Sequence, residues 1–304
     1  MPEPIPHVDV ELEDESGHLG ELVTPGTNLE RIAGGLAFTE GPVWRGDHLL
    51  FSDIPNDRIC RWRDLPEGPE LTTFRAFNGK TNGLTLDREG LLLGCAHSGR
   101  SVLRFDQNQQ PTPIATHFEG GRFNSPNDLV VKRNADIYFT DPPYGIDELG
   151  PDAKEQTVNG VFRLTTDGML DLVTDRFTRP NGLAFSPDEQ RLYIGDSGGP
   201  RDVWVFDVEE DGTLSNGSQF VDMDTHPSSG NPDGMKCDIG GHVWITGPGG
   251  VWVVDPNGTV IGRVKLPEQP ANLAWGGPEW STLFITARSS VYRLETNCVG
   301  VTVP

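Results

Sequence analysis

The 304-residue chain lacks any apolar run long enough to cross a membrane as a helix. It is also short of positive charge. Twenty-four Lys and Arg, only five of them Lys, face 45 Asp and Glu, for a formal net charge of −21. A surface of that sign repels phosphate backbones and anionic lipids, so neither a nucleic acid nor a membrane is expected as partner. Cations and neutral small molecules are compatible with it. Cysteine is scarce, and Cys60, Cys95, Cys237 and Cys298 form no C-x-x-C pair, which removes zinc-ribbon and thioredoxin-like chemistry. Buried free thiols in a reducing compartment are the expectation. The opening MPEPIPHVDVELEDESG has neither the basic start nor the apolar stretch of an export signal. A cytoplasmic location is therefore expected, or a periplasmic one if a signal has been removed.

Long helical periodicity is missing too. In its place, 37 Gly and 25 Pro punctuate short apolar bursts. One pattern recurs: a polar residue, an apolar run, a polar turn, a second apolar run. It begins at Glu40, Asn82, Asn127, Asn181, Asp233 and Asn272. A third strand-like segment follows each unit, and a fourth follows five of them. The sixth lacks its fourth, but NLERIAGG (28–35) is available at the other end of the chain. Six units of four antiparallel strands, the last completed by an N-terminal strand, predict an all-β six-bladed propeller. The expected division is an acidic N-terminal arm over 1–27 and one propeller domain over 28–304.

The first strand of a propeller blade lines the central channel. The six repeat-starting residues therefore converge as a ring of two carboxylates and four carboxamides, all oxygen donors. Such a set suits a hard cation, calcium foremost, better than zinc, which prefers nitrogen and sulfur. Two acids at one repeat position would otherwise repel each other.

Glu40-Gly41-Pro42-Val43-Trp44, Ser125-Pro126-Asn127-Asp128, Phe139-Thr140-Asp141-Pro142-Pro143-Tyr144-Gly145, Arg179-Pro180-Asn181-Gly182 and Pro232-Asp233-Gly234 occur in order. Together they resemble the signatures of the SMP-30/gluconolactonase/luciferin-regenerating-enzyme family, over roughly residues 28–297. The stretch NGLTLDREG with Cys95-Ala96-His97 resembles the gluconolactonase branch. The resemblance implies hydrolysis of a sugar lactone, D-glucono-1,5-lactone first, with one divalent cation: Ca2+ first, with Mg2+, Mn2+, Zn2+ or Fe2+ as alternatives. It places the metal ligands on Glu40, Asn127, Asn181 and Asp233, and leaves Asn82 and Asn272 as channel lining, with Asn82 also a candidate substrate contact. It further implies sugar-hydroxyl contacts at Arg122 and Asn124, and Asp233 as the base that activates water.

Asp141, ending a strand at FTDPPYG, is a second candidate base. His97, His226 and Tyr144 are candidate substrate contacts from their places near the channel mouth. No G-x-S-x-G nucleophile elbow and no G-x-G-x-x-G strand–turn–helix fingerprint is read in the chain, so acyl-enzyme and dinucleotide chemistry are disfavoured. Other readings of the same ring are another lactonase or esterase, a phosphotriesterase-like hydrolase, or a non-enzymatic scaffold with a structural cation. A monomer or homodimer is expected.

Overall fold

The computed structural model describes residues 7–147, 150 and 153–303. Each apolar–turn–apolar unit folds into an antiparallel strand pair, and six blades of four strands result, two of them widened to five-stranded sheets by N-terminal strands. Blade I comprises Thr39–Trp44, Leu49–Asp53, Arg58–Leu65 and Gly68–Ala76. Blades II to V start with the inner strands Thr81–Leu86, Leu129–Val131, Pro180–Phe185 and Met235–Cys237. In blade VI the strands Pro270–Gly276, Thr282–Ala287 and Ser290–Glu295 take their fourth, Asn28–Ala33, from the N-terminus. The expected closure is thus the one observed.

Burial follows position in the blade. Thr39–Trp44 and Leu49–Asp53 are buried at every residue, because a neighbouring blade covers each of their faces. The outer strand Gly68–Ala76 alternates between exposed and half-buried. Adjacent blades pack through aromatic pairs. Trp44 of blade I stacks on Phe284 of blade VI at 5.2 Å across the closing seam, and Trp244 meets Trp275 edge-on at 5.3 Å between blades V and VI. All four cysteines are buried and free.

The described part of the N-terminal arm crosses no channel face. His7–Asp9 adds a fifth strand to blade VI, and Glu11–Asp14 adds one to blade V. Leu19 and Val23 bury completely in the core shared by those blades. The acidity of the arm also has partners: Arg263 binds Glu13 and Glu15 at 3.2 and 2.6 Å, and Lys265 binds Glu11 at 2.7 Å. At the other end of the chain, Val301–Val303 lie against the far ends of the inner strands of blades II to V.

Candidate active site

The inner strands all start at the same end of the channel. Glu40, Asn82, Asn127, Asn181 and Asp233 therefore line one cavity of about 440 Å³. The residue after each of them decides how closely the strands approach. A Cβ on Gly41 would lie 2.1 Å from the Asn82 carbonyl oxygen, and one on Gly182 would lie 2.0 Å from that of Asp233. One on Gly234 would lie 2.1 Å from the Asn272 side chain. Backbone this close admits only glycine. Hydroxyls lock the same seams: Ser52 donates to the Asn82 carbonyl at 2.7 Å, and Thr140 to that of Asn181 at 2.8 Å.

Blade III breaks the glycine rule. It has Asp128 where blades I, II, IV and V have Gly and blade VI has Leu273, and that carboxylate is buried at the channel axis. Sequence reading passed over it, although an acid in a glycine slot of the repeat was a visible signal. Asn272 explains its absence from the cavity wall. Its Nδ2 donates to Glu40 Oε2 at 3.0 Å and to Asp128 Oδ2 at 3.3 Å, and its Oδ1 accepts from the Leu273 amide at 2.8 Å. Its amide is fully engaged in bridging two carboxylates.

The remaining amides are held differently. Asn181 Nδ2 donates to Ser197 Oγ at 3.0 Å, and Ser197 Oγ donates to the Pro232 carbonyl at 2.5 Å. Asn82 Nδ2 lies 3.0 Å from His97 Nε2. In both cases the nitrogen is occupied, while the buried Oδ1 has no hydrogen-bond partner. A buried carbonyl oxygen without a donor is costly unless something else meets it.

Two buried carboxylates, Glu40 and Asp128, and the half-buried Asp233 sharpen the point. Burial, then the charge of Asp128, pushes the Glu40 carboxyl up to about 7. Burial, then Glu40 and Asp128, holds Asp233 well above the carboxylate range, and burial raises Asp128 as well. The nearby cation is Lys236, which acts on Glu40 and Asp128. Among the described residues no three His, Cys, Asp or Glu side chains are grouped to hold a metal by themselves. The donor set is instead mixed: acids short of counter-charge beside amide oxygens short of donors. That set fits a hard divalent cation.

His97 and Tyr144 line the cavity, as expected. Burial, then Lys80, lowers His97 to about 4, so its imidazole is neutral. Burial lifts the Tyr144 hydroxyl to about 12, and Arg179 stacks over its ring at 5.0 Å. Phe38, Asn231, Gln269 and the exposed Arg288 complete the wall. They sit on loops outside the repeat pattern, where periodicity carries no signal.

Four expected site residues lie elsewhere. Asn124 is wholly buried, and its Nδ2 donates to the carbonyls of Asp141 and Val158, both at 2.9 Å. It therefore pins a loop. Asp141 is also wholly buried and accepts from the Asn124 amide through Oδ2 at 2.7 Å. Arg122 is exposed, off the cavity wall, with its amide on Glu155. His226 packs edge-on against Trp252 at 5.6 Å.

Burial raises the Asp141 carboxyl to about 7, against the amides of Asn124 and Ser125 and the charges of Arg100 and Lys154, which pull it down. The folded protein keeps this proton while the unfolded chain loses it near the ordinary carboxylate value. Stability is therefore lost as pH rises from about 4 to about 7, by roughly 4 kcal/mol for this group. Asp141→Asn retains an acceptor and removes the titration. Urea melts at pH 4.5, 6 and 7.5 are expected to show the variant gaining on the native protein as pH rises; a pH-independent difference would refute this.

One sequence expectation needs correction. Gly195-Asp196-Ser197-Gly198-Gly199 does satisfy G-x-S-x-G. Its setting is a strand end, Arg191–Asp196, leading into bends rather than a helix. Ser197 Oγ is spent on Asn181 and Pro232, so the spacing marks a bracket for an amide rather than a nucleophile elbow.

The description "SMP-30/Gluconolactonase/LRE-like region" matches residues 38–289. A gluconolactonase of Zymomonas mobilis is 33% identical over 94% of this chain and 86% of its own. The pentonolactonase XacC of Haloferax volcanii is 31% identical over 81% and 80%. The solved structure of a gluconolactonase from Xanthomonas campestris superposes with a TM-score of 0.86 at 31% identity, covering 97% of this chain and 99% of that one. With the propeller, the ring and this extent of likeness together, the chain belongs to the SMP-30/gluconolactonase/LRE-like family.

Proposed function

We propose that this protein is a lactone hydrolase that opens a sugar lactone, D-glucono-1,5-lactone foremost, in a cation-dependent reaction. The observation that carries the reading is the cavity floor, where acids short of counter-charge stand beside amide oxygens without donors. The gluconolactonase and pentonolactonase relatives support the substrate class.

Glu40, Asn127, Asn181 and Asp233 would hold the cation. When bound, a divalent cation supplies Lewis-acid polarisation of the lactone carbonyl and charge stabilisation for the oxygen that becomes negative. Asp233, half-buried at the cavity floor, takes the proton of the attacking water. The water oxygen bonds to the carbonyl carbon, the ring C–O bond breaks, and Asp233 returns its proton to the ring oxygen, which leaves as a hydroxyl. The product is the open aldonate, with one proton released. Neutral His97 is a poor base near pH 7 and acts in positioning. Tyr144 and Arg288 offer a hydroxyl and a guanidinium to the sugar hydroxyls at the rim.

The test is proton release from D-glucono-1,5-lactone and from a pentonolactone, with spontaneous hydrolysis subtracted. Chelator-stripped protein is given Ca2+, Mg2+, Mn2+, Zn2+ or Fe2+ in turn. Turnover is expected to fall to background on stripping and to return with a metal. Turnover on the pentonolactone alone would move the substrate. Full turnover by protein shown metal-free by elemental analysis would overturn the cation reading.

A further inference from the structure

We propose that Asn82 is an additional oxygen ligand of the cavity cation and that His97 is the residue that aims it. This rests on the cation reading above. Asn82 is the second residue of the inner strand of blade II, at the repeat position that supplies Glu40, Asn127, Asn181 and Asp233 in other blades, and it lines the same cavity. It is 4% exposed, and its Oδ1 has no hydrogen-bond partner. The other end of its amide is taken: Nδ2 lies 3.0 Å from His97 Nε2. An NH2 group can only donate, so His97 Nε2 accepts and the ring proton is on Nδ1. This contact settles which end of the carboxamide faces the cavity, and it is the carbonyl end. Asn181 is oriented in the same way, with Ser197 in place of the imidazole.

The imidazole is itself fixed. His97 follows the strand Leu92–Ala96 of the same blade, and its amide donates to the Lys80 carbonyl at 3.2 Å. Gly145 presses on it so closely that a Cβ there would lie 2.8 Å from His97 Cβ. Without such a holder the amide can turn and present its NH2, the wrong end of the dipole for a cation. Residues that orient metal ligands in this way are typically worth 10–100-fold in metal affinity.

The experiment titrates calcium into chelator-stripped full-length protein by calorimetry, beside circular-dichroism melts of the stripped forms. Asn82→Ala and His97→Phe are each expected to weaken calcium about 10–100-fold, with stripped-form melting held near the native value. His97→Gln, whose carbonyl still accepts from Asn82, is expected to stay within about threefold of the native Kd. Native calcium affinity in Asn82→Ala with only KM raised would make Asn82 a substrate contact and overturn the ligand assignment. Equal loss in His97→Gln and His97→Phe, or none in His97→Phe, would overturn the positioning role. Failure of the native protein to bind any cation would instead sink the reading beneath it.

Discussion

Asp233→Asn is expected to lower kcat/KM by about 10³-fold, equivalent to about 4 kcal/mol of transition-state stabilisation. The same substitution is not expected to weaken the stripped fold. Asp233 sits half-buried on the cavity floor, where desolvation and then Glu40 and Asp128 raise its carboxyl, so its charge opposes folding unless a cation meets it. Asparagine keeps the size and removes the charge. In chelator the variant should melt at or above the native temperature. With calcium the native protein should gain several degrees and the variant little, because only the native site has enough charge to bind tightly. Activity lost with stripped-state stability gained is the signature of a site built against its own electrostatics. A purely structural role for the residue predicts the opposite pairing. Turnover within tenfold of native, or an undiminished calcium shift, would remove Asp233 from the chemistry.

Gly182→Ala has the second large effect, and it acts on the backbone. The added methyl would meet the Asp233 carbonyl oxygen at 2.0 Å, and no side-chain rotation relieves a clash with main chain. The inner strands of blades IV and V must part, which separates Asn181 from Asp233. A loss of about 3 kcal/mol, in the upper range for overpacking, is expected, and with it a fall in melting temperature on the order of 5–10 °C. The calcium shift should disappear as well. Gly20→Ala is the control, since a Cβ there meets only Pro25 at 3.6 Å in ordinary contact. If Gly182→Ala melts with the control and still binds calcium, the close-approach account of the repeat glycine is wrong.

Much of the site could be read before any coordinates. A position that returns every 39–54 residues with an oxygen-bearing side chain is brought to one axis by closure, whatever the details of the loops. Asn82 and Asn181 each carry two messages, one in the amide and one in the glycine that follows. Asp128 was the exception that repeat logic should have caught, an acid in a slot that holds glycine in four of the other five units and leucine in the last. Asn124 and Asp141 lie off the cavity wall for a physical reason. A polar residue on a loop beside a channel serves the loop's own backbone as readily as a ligand, and Asn124 Nδ2 and Asp141 Oδ2 each bond the other's segment, while both Oδ1 atoms have no hydrogen-bond partner. The G-x-S-x-G at Ser197 shows the same limit, since spacing does not say whether a strand runs on into a helix.

The chain by itself determined the number of blades, the closure by Asn28–Ala33 and the chemistry of the ring, because these depend on periodicity and on residue type. Tertiary structure alone decided which ring members face the cavity. Asn272 turns to bridge Glu40 and Asp128, while His97 and Ser197 hold the carbonyl ends of Asn82 and Asn181 toward the cavity. It also decided the fate of the acidic arm, which pairs with blades V and VI. The direction of an amide and the partner of an edge strand are set by atoms far away in sequence, and no local pattern encodes a contact that exists only after the propeller has closed.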